Sequence, residues 1–158
     1  QGPAATFANI AHSFAVSTEA TALYPFLANP AGASDAQIGA FLGSVYNNLF
    51  ERTPDAAGSA YWTGQIKQAM QAGQFVGQVL INIISGAQDT AAAKDITTLM
   101  GKVAVSLAYV GEQEAHGIAW AGASDIAAAT ALLDGVTADP QSLLVGIRNA
   151  EVLIANHA

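Results

Sequence analysis

The chain has 158 residues, of which 52% are hydrophobic and 11% charged; it has no cysteine, and its formal net charge is −7. That length accommodates one compact domain or two small ones, and the apolar fraction is too high for a disordered chain. Five basic residues against twelve acidic ones exclude the basic surface of a nucleic-acid binder, and the lack of cysteine excludes disulfides, thiolate zinc sites and a cysteine nucleophile.

Apolar residues recur every three or four positions along most of the chain, which is the period of amphipathic helices. A short stripe near the start comprises Phe7, Ile10, Ala11 and Phe14. The clearest stripe comprises Ile38, Phe41, Leu42, Val45, Tyr46 and Leu49. A third comprises Phe75, Val76, Val79, Leu80, Ile83 and Ile84. We predict helices at 4–15, 18–28, 35–50, 54–72, 74–85, 89–115, 124–134 and 140–156.

Capping signals support these boundaries. Ser34 and Gln37 have the spacing of a capping box before the helix that begins at 35. Thr53-Pro54-Asp55 places a cap residue, a first-turn proline and an acid at one helix start, and Asp139-Pro140 does the same for the last helix. Glycines stand where four helices are expected to end, namely Gly73, Gly86, Gly117 and Gly135.

The fold class predicted from these patterns is all-α, because no segment alternates apolar and polar residues and no hairpin turn signal is present. We expect an irregular bundle of about seven to eight helices with short connections. Residues 1–158 are predicted to form a single domain, with a core motif at 34–86 on which the helices of 89–158 pack. The pentapeptide 31–35 recurs identically at 121–125. This repeat fits two ordinary helix starts better than an internal duplication.

Membrane insertion is not expected, because the most apolar stretches, 75–84 and 103–110, are far shorter than the roughly 20 apolar residues that a span needs. Gln1-Gly2-Pro3 lacks the positive region and cleavage site of a Sec-type signal peptide, so no such signal is predicted.

Catalytic signatures are missing from the sequence, which contains no nucleophile elbow, P-loop, dinucleotide fingerprint or zinc-protease motif. Glu112 and His116 share a helix face, but two ligands do not make a metal site, so we predict none. Several acids, including Asp35, Asp55, Asp89 and Asp125, stand at predicted helix starts, where capping accounts for them. The sequence therefore predicts a protein that is not an enzyme, with a carboxylate-based hydrolase or lyase as a minor alternative.

The most distinctive segment, 45–62, combines a helix end, a tight corner and a new helix. The side chains in this segment that could bind a ligand are those of Tyr46, Arg52, Asp55, Tyr61 and Trp62. The structural interpretation is a rigid corner with an aromatic clasp, in which Arg52 binds the preceding carbonyls or Asp55, and Gly58 lets the helices approach. The functional interpretation is a ligand-binding site in which the aromatic rings stack on a sugar and the arginine hydrogen-bonds it. We favour the structural interpretation and keep these five residues as candidate ligand-binding residues.

This segment resembles a bacterial family known as domain of unknown function 4214, through the pattern Y-x-N-x-x-x-R-x-P-D-x-x-G-x-x-Y-W, which begins here at Tyr46 and ends at Trp62. Weaker likeness extends upstream, to Phe14 through Tyr24, and downstream, to 103–109 and 125–142. Two positions differ from the family. The family has glycine before the arginine, where this chain has Glu51, and a residue with a Cβ disfavours a left-handed backbone at the corner. The family has an aromatic residue at the position that Ala20 occupies here.

The resemblance implies a helical module of secreted or surface-layer proteins of Gram-negative bacteria, exported by type I secretion, often beside calcium-binding repeats. Calcium would then bind only through regions outside this chain, and we expect no cofactor within it. Some such helical regions attach to lipopolysaccharide, and a distant likeness to phycobilisome linkers suggests protein docking. The function predicted is thus extracellular binding or anchoring, with a cell-surface polysaccharide or a protein as partner. The alternative is a carrier of a small apolar ligand such as haem, with His12, Tyr24 or His116 as axial ligand.

Overall fold

The computed structural model describes residues 9–10, 12–73, 76–86 and 93–156. All regular structure in these ranges is helical, which confirms the predicted all-α class. The chain forms two compact units. The first comprises Gln1–Asn47 and Arg52–Ala87, and the second comprises Asn48–Glu51 and Gln88–Ala158. That the C-terminal helices pack on the 34–86 core as one domain stays a prediction.

Seven α-helices account for most of the described chain. They are α1 (Thr18–Leu23), α2 (Asp35–Phe50), α3 (Ala56–Gln71), α4 (Val76–Gly86), α5 (Ala93–Ala115), α6 (Ala123–Leu133) and α7 (Pro140–Ala155). Two short 3-10 helices, Pro25–Leu27 and Pro30–Gly32, lie between α1 and α2. Residues 9–10 and 12–15 are also helical, and the remainder of the predicted helix 4–15 lies outside the described residues.

The predicted helix 18–28 is wrong beyond Leu23. Pro25 lacks an N–H and excludes the helical conformation from the residue before it. Tyr24 accordingly has φ −130° and ψ 79°, and the chain continues as a 3-10 turn. At the other end of α1, the Ser17 hydroxyl accepts a hydrogen bond from the Ala20 N–H at 3.1 Å.

The core of the first unit is built on the predicted α2 stripe. Ile38 and Leu42 are fully buried, and Phe41 receives the rings of Tyr24 and Phe26 edge-on, with centroids 5.0 and 5.5 Å away. Ser34 and Gln37 form the predicted capping box at the start of α2, each side chain accepting from the other residue's backbone N–H. The stripe near the N-terminus behaves differently, because Ile10 and Phe14 are exposed. Its Phe7 and Ala11 lie outside the described residues.

The second unit is held by close packing of α5 against α7. A Cβ added at Gly146 would lie 2.7 Å from Cγ2 of Val105, and one added at Gly101 would lie 3.2 Å from Cγ1 of Val136. Both valines are almost wholly buried. A side chain at Gly146 would push α5 and α7 apart, so glycine is required there, and Gly101 allows the 136–137 turn to pack tightly against α5.

Asp125 is the buried polar centre of this unit. Its carboxylate accepts hydrogen bonds from the Tyr109 hydroxyl at 2.6 Å, from the Gln113 amide at 2.9 Å and from the Ala121 backbone N–H. Tyr109 and Gln113 lie on α5, so the network ties α6 and the loop before it to that helix. The prediction that capping accounts for Asp125 is therefore incomplete, because its main partners are distant in sequence.

The repeated pentapeptide adopts two different structures. In the first copy, Ser34 precedes the helix and Asp35 is its exposed first residue. In the second copy the helix begins at Ala123, two residues earlier in the motif, after Gly122 with φ +70°. Identical local sequence thus yields different helix starts. This difference agrees with two separate helix starts rather than a duplicated unit.

Stability at high pH is expected to depend on Tyr109. Burial raises the pKa of its hydroxyl from 10.0 to about 12, helped by the hydrogen bond to Asp125 and by that carboxylate's charge. Between these two pH values the Tyr109 hydroxyl loses its proton in the unfolded chain and keeps it in the folded chain. The contribution of Tyr109 to the free energy of unfolding is therefore complete below pH 10 and is lost as the pH rises toward 12. Urea titrations between pH 10 and 12 should show that the free energy of unfolding falls less steeply with pH in Tyr109→Phe than in the wild type. The exposed control Tyr61→Phe should leave it unchanged, and an equal effect of both variants would contradict the assignment.

No helix in the described ranges is both long and apolar enough to cross a membrane.

Candidate functional site

The corner between α2 and α3 is fixed by Asp55. Its carboxylate accepts a hydrogen bond from the Gly58 N–H at 2.7 Å, and its extended backbone marks it as the N-cap of α3. The predicted assignment of Thr53 as cap and Pro54 as first helical residue is therefore wrong by two positions. The physical reason is that the Asp55 carboxylate satisfies a first-turn N–H of the helix that begins at Ala56.

An aromatic clasp closes the corner, as the structural interpretation predicts. The indole Nε1 of Trp62 donates a hydrogen bond of 2.8 Å to the hydroxyl of Tyr46, which is buried. These residues lie on α3 and α2, so the bond joins consecutive helices. Gly58 lies beneath them: a Cβ there would be 3.2 Å from a carboxylate oxygen of Asp55 and 3.8 Å from the Tyr46 hydroxyl.

Arg52 packs over this clasp. Its guanidinium carbon is 5.0 Å from the centroid of the Tyr46 ring, a cation–π distance, and one guanidinium nitrogen donates to the Thr53 carbonyl at 3.1 Å. The acceptor belongs to the corner itself and not to the end of α2. The arginine thus binds both the ring and the turn, which holds the corner backbone in one conformation.

Glu51, which belongs to the second unit, has a left-handed backbone with φ +54°, so the expectation that a non-glycine residue disfavours this conformation here is wrong. Its carboxylate forms a salt bridge with Lys102 of α5. Both side chains are largely buried, with 15% and 8% of their surfaces exposed. An ion pair that holds the side chain offsets the strain of the left-handed conformation, which is about 1–2 kcal/mol for a residue with a Cβ.

The five candidate residues of the corner divide into two groups. Tyr46 and Asp55 are engaged in holding the corner, and Trp62 contributes its N–H to the same purpose. Tyr61 is 58% exposed and lies edge-on to Trp62, with ring centroids 4.9 Å apart. Arg52 is also exposed. Tyr61, Arg52 and Asp55 are therefore the residues of the corner that solvent or a ligand can reach. A role in ligand binding stays a prediction for all five.

A groove between α2 and α3 was not predicted from the sequence. It has a volume of about 660 Å³ and is lined by Asp35, Gly39, Ala56, Ser59, Ala60, Thr63, Gly64 and Lys67. Lys67 forms a salt bridge with Asp35 along it. The signal that could have revealed it is the pair of glycines inside helices. Glycine in a helix costs about 1 kcal/mol relative to alanine, yet a Cβ at Gly39 or Gly64 would meet nothing within 4 Å.

The residues considered for metal and haem lie elsewhere. The imidazole Nε2 of His116 is 3.7 Å from a Glu112 carboxylate oxygen, and within the described ranges no three His, Asp or Glu side chains come together as metal ligands. Tyr24 packs against Phe41, and His12 is half-buried in the N-terminal segment. The haem hypothesis stays a prediction.

Comparison with known families agrees with the resemblance seen in the sequence. Residues 11–77 match the model of the family described as Domain of unknown function (DUF4214). This range contains the whole corner and the groove, whereas the weaker likeness at 103–109 and 125–142 lies outside it. Comparison with curated proteins and with solved structures gave no match.

Proposed function

We propose that this chain, whose residues 11–77 belong to the DUF4214 family, is a non-enzymatic binding module that attaches a secreted or cell-surface bacterial protein to polysaccharide. The observation that carries the proposal is the exposed ring of Tyr61, which lies on a rigid corner beside a groove that contains the hydroxyl groups of Ser59 and Thr63. Secretion and surface location are part of the proposal because they are what the family resemblance implies.

The ring of Tyr61 has the properties of a sugar-stacking platform. It is 58% exposed, and its edge-to-face contact with Trp62 limits its motion. Trp62 is in turn bonded to the buried Tyr46. A ring already fixed in the free protein loses little conformational entropy when the C–H face of a sugar packs on it.

The groove supplies the polar groups that a saccharide needs. Ser59 and Thr63 are one turn apart on α3, and within the described residues no hydrogen bond engages either hydroxyl. Lys67 and Asp35 add a donor and an acceptor in an exposed salt bridge. Tyr61 and Gly64 are neighbours at the i,i+3 spacing, so a chain of sugar rings in the groove can reach the aromatic platform.

The same arrangement supports binding over catalysis. Asp35 is the one acid among the described residues that line the groove, and its carboxylate is paired with Lys67. Hydrolysis of a glycosidic bond ordinarily requires two carboxyl groups on either side of the bond. An open groove with one paired carboxylate suits recognition of hydroxyl groups.

The test is binding of the purified chain to a glycan array and to immobilised smooth lipopolysaccharide. We expect saturable binding by the wild type, weakened roughly tenfold by Tyr61→Ala because the stacking contact is lost. Trp120→Ala is the matched control, since Trp120 is 57% exposed and lies in the second unit, and it should bind as the wild type does.

A second pair of variants tests the groove. Gly64→Leu should fill it and weaken binding without unfolding the protein, because the position is helical and has open space for a Cβ. Gly111→Leu places the same side chain at an exposed helical glycine of α5 and should leave binding unchanged. Absence of binding by the wild type, or equal binding by all variants, would overturn the proposal.

A further inference from the structure

The second unit contains an apolar cleft that the proposed function does not use. It has a volume of about 350 Å³ and lies between α5, the turn at 137–139 and the first turn of α7. Its apolar walls come from Ile96, Met100, Ala138, Pro140 and Leu143. The volume is at the lower end of the range for small-molecule sites, which is roughly 300–1,000 Å³.

The walls of the cleft are fixed by packing and hydrogen bonds. Beneath it, Gly101 approaches Val136 so closely that a Cβ would lie 3.2 Å from the valine methyl. The turn is held because the Thr137 N–H donates to the Ser142 hydroxyl at 2.9 Å. The Asp139 carboxylate caps α7 by accepting from the Gln141 N–H at 3.0 Å. The cleft therefore cannot close by a small movement of the turn, and it is preformed for a ligand.

The polar groups on the lining are already engaged within the protein. The Thr97 hydroxyl donates to the Ala93 carbonyl at 2.8 Å, and the Thr137 hydroxyl is 3.3 Å from that of Ser142. The Asp139 carboxylate at the edge disfavours an anionic ligand. A molecule in the cleft therefore gains apolar contacts, and the two threonine hydroxyls keep the hydrogen bonds that they already form within the protein.

We propose that this cleft binds a small, neutral, apolar molecule, an aromatic or branched aliphatic compound that fits its volume of about 350 Å³. Shape and apolarity determine which ligand binds, since burial of apolar surface contributes about 25 cal/mol per Å², and the hydroxyls of Thr97 and Thr137 are already engaged within the protein. This binding is separate from polysaccharide attachment, because the two sites lie in different units.

The test uses the neutral fluorescent probe N-phenyl-1-naphthylamine with the full chain. We expect saturable fluorescence enhancement at one probe per chain. Ala138→Phe should abolish it by filling the cleft, and Leu143→Ala should weaken it roughly tenfold by removing one wall. Leu144→Ala is the matched control: the same residue type on the same helix is 59% exposed and does not line the cleft.

The inference is overturned if the probe does not bind, or if Leu144→Ala weakens binding as much as Leu143→Ala, which would indicate general adsorption to exposed apolar side chains. Both alanine variants keep the helix, so folding differences do not obscure the comparison. Tyr61→Ala should bind the probe normally and Ala138→Phe should bind polysaccharide normally, so failure of one proposal is distinguishable from failure of the other.

Discussion

Replacing Lys102 with methionine is expected to lower the free energy of unfolding by about 3 kcal/mol, the lower end of the range for breaking a buried ion pair. The variant removes the cation from Glu51, whose side chain is only 15% exposed. The carboxylate is then left largely desolvated on a residue with a left-handed backbone. The measurement is urea denaturation at neutral pH, with the midpoint and the slope compared to the wild type.

Lys67→Met is the matched control for this prediction, because Lys67 forms its salt bridge with Asp35 at the surface, where the side chains are 40% and 71% exposed. Exposed pairs contribute at most about 1 kcal/mol. The double variant Glu51→Gly with Lys102→Met should recover most of the lost stability, since it removes the orphaned carboxylate and relieves the backbone strain. If Lys102→Met were no more harmful than Lys67→Met, the buried ion pair between Glu51 and Lys102 would not stabilise the second unit.

Asp125→Ala is expected to destabilise the protein by roughly 3 kcal/mol or more, because two buried donors lose their acceptor at about 1–3 kcal/mol each. The Tyr109 hydroxyl and the Gln113 amide are 3% and 5% exposed as residues, so water cannot readily replace the carboxylate. The Ala121 N–H also loses its partner, so its hydrogen exchange should accelerate beyond the global effect. Urea denaturation and amide exchange measure the two effects.

The repeated pentapeptide provides an internal control for this prediction. Asp35→Ala changes the corresponding aspartate of the first copy, which is exposed at the start of α2, and should cost about 1 kcal/mol or less. Asp125→Asn keeps an acceptor oxygen and should fall between the wild type and the alanine variant. Similar losses for Asp35→Ala and Asp125→Ala would mean that the buried network contributes little.

Helix positions were predictable because periodicity and capping are local. The α2 stripe, the capping box of Ser34 and Gln37, and the Asp139 cap with its proline are all visible in the sequence and confirmed in the structure. The error in α1 was also avoidable, since Pro25 is itself a helix-stopping signal. These features need no knowledge of what each helix packs against.

Features that depend on distant partners could not be predicted in this way. Glu51 adopts a left-handed backbone beside Lys102, a residue 51 positions away, and nothing in the local sequence indicates that pairing. Asp125 resembles an ordinary first-turn acid, and its equivalent in the first copy, Asp35, is one. Asp125 is buried instead against Tyr109 and Gln113, and the local sequence does not indicate these partners.

The residues of the corner were predicted from the sequence, but the groove beside them was not. The aromatic and charged residues of the corner were identified from their spacing, and the Tyr46–Trp62 contact follows from their places on consecutive helices. The groove was missed because its lining comes from two helices whose relative placement the sequence does not reveal. Its hydroxyl groups and glycines are each unremarkable until that pairing is known.

The membership of residues 48–51 in the second unit affects how this protein could be rearranged by recombination. The second unit is discontinuous in sequence, since residues 52–87 are inserted between its two parts. Exchange at a single junction near residue 87 would transfer 88–158 without Glu51 and leave Lys102 without its anion. The segment 11–77, which the family model matches, likewise includes Glu51 and not Lys102. A recombinant that keeps this ion pair must therefore inherit residues 51 and 102 from one parent.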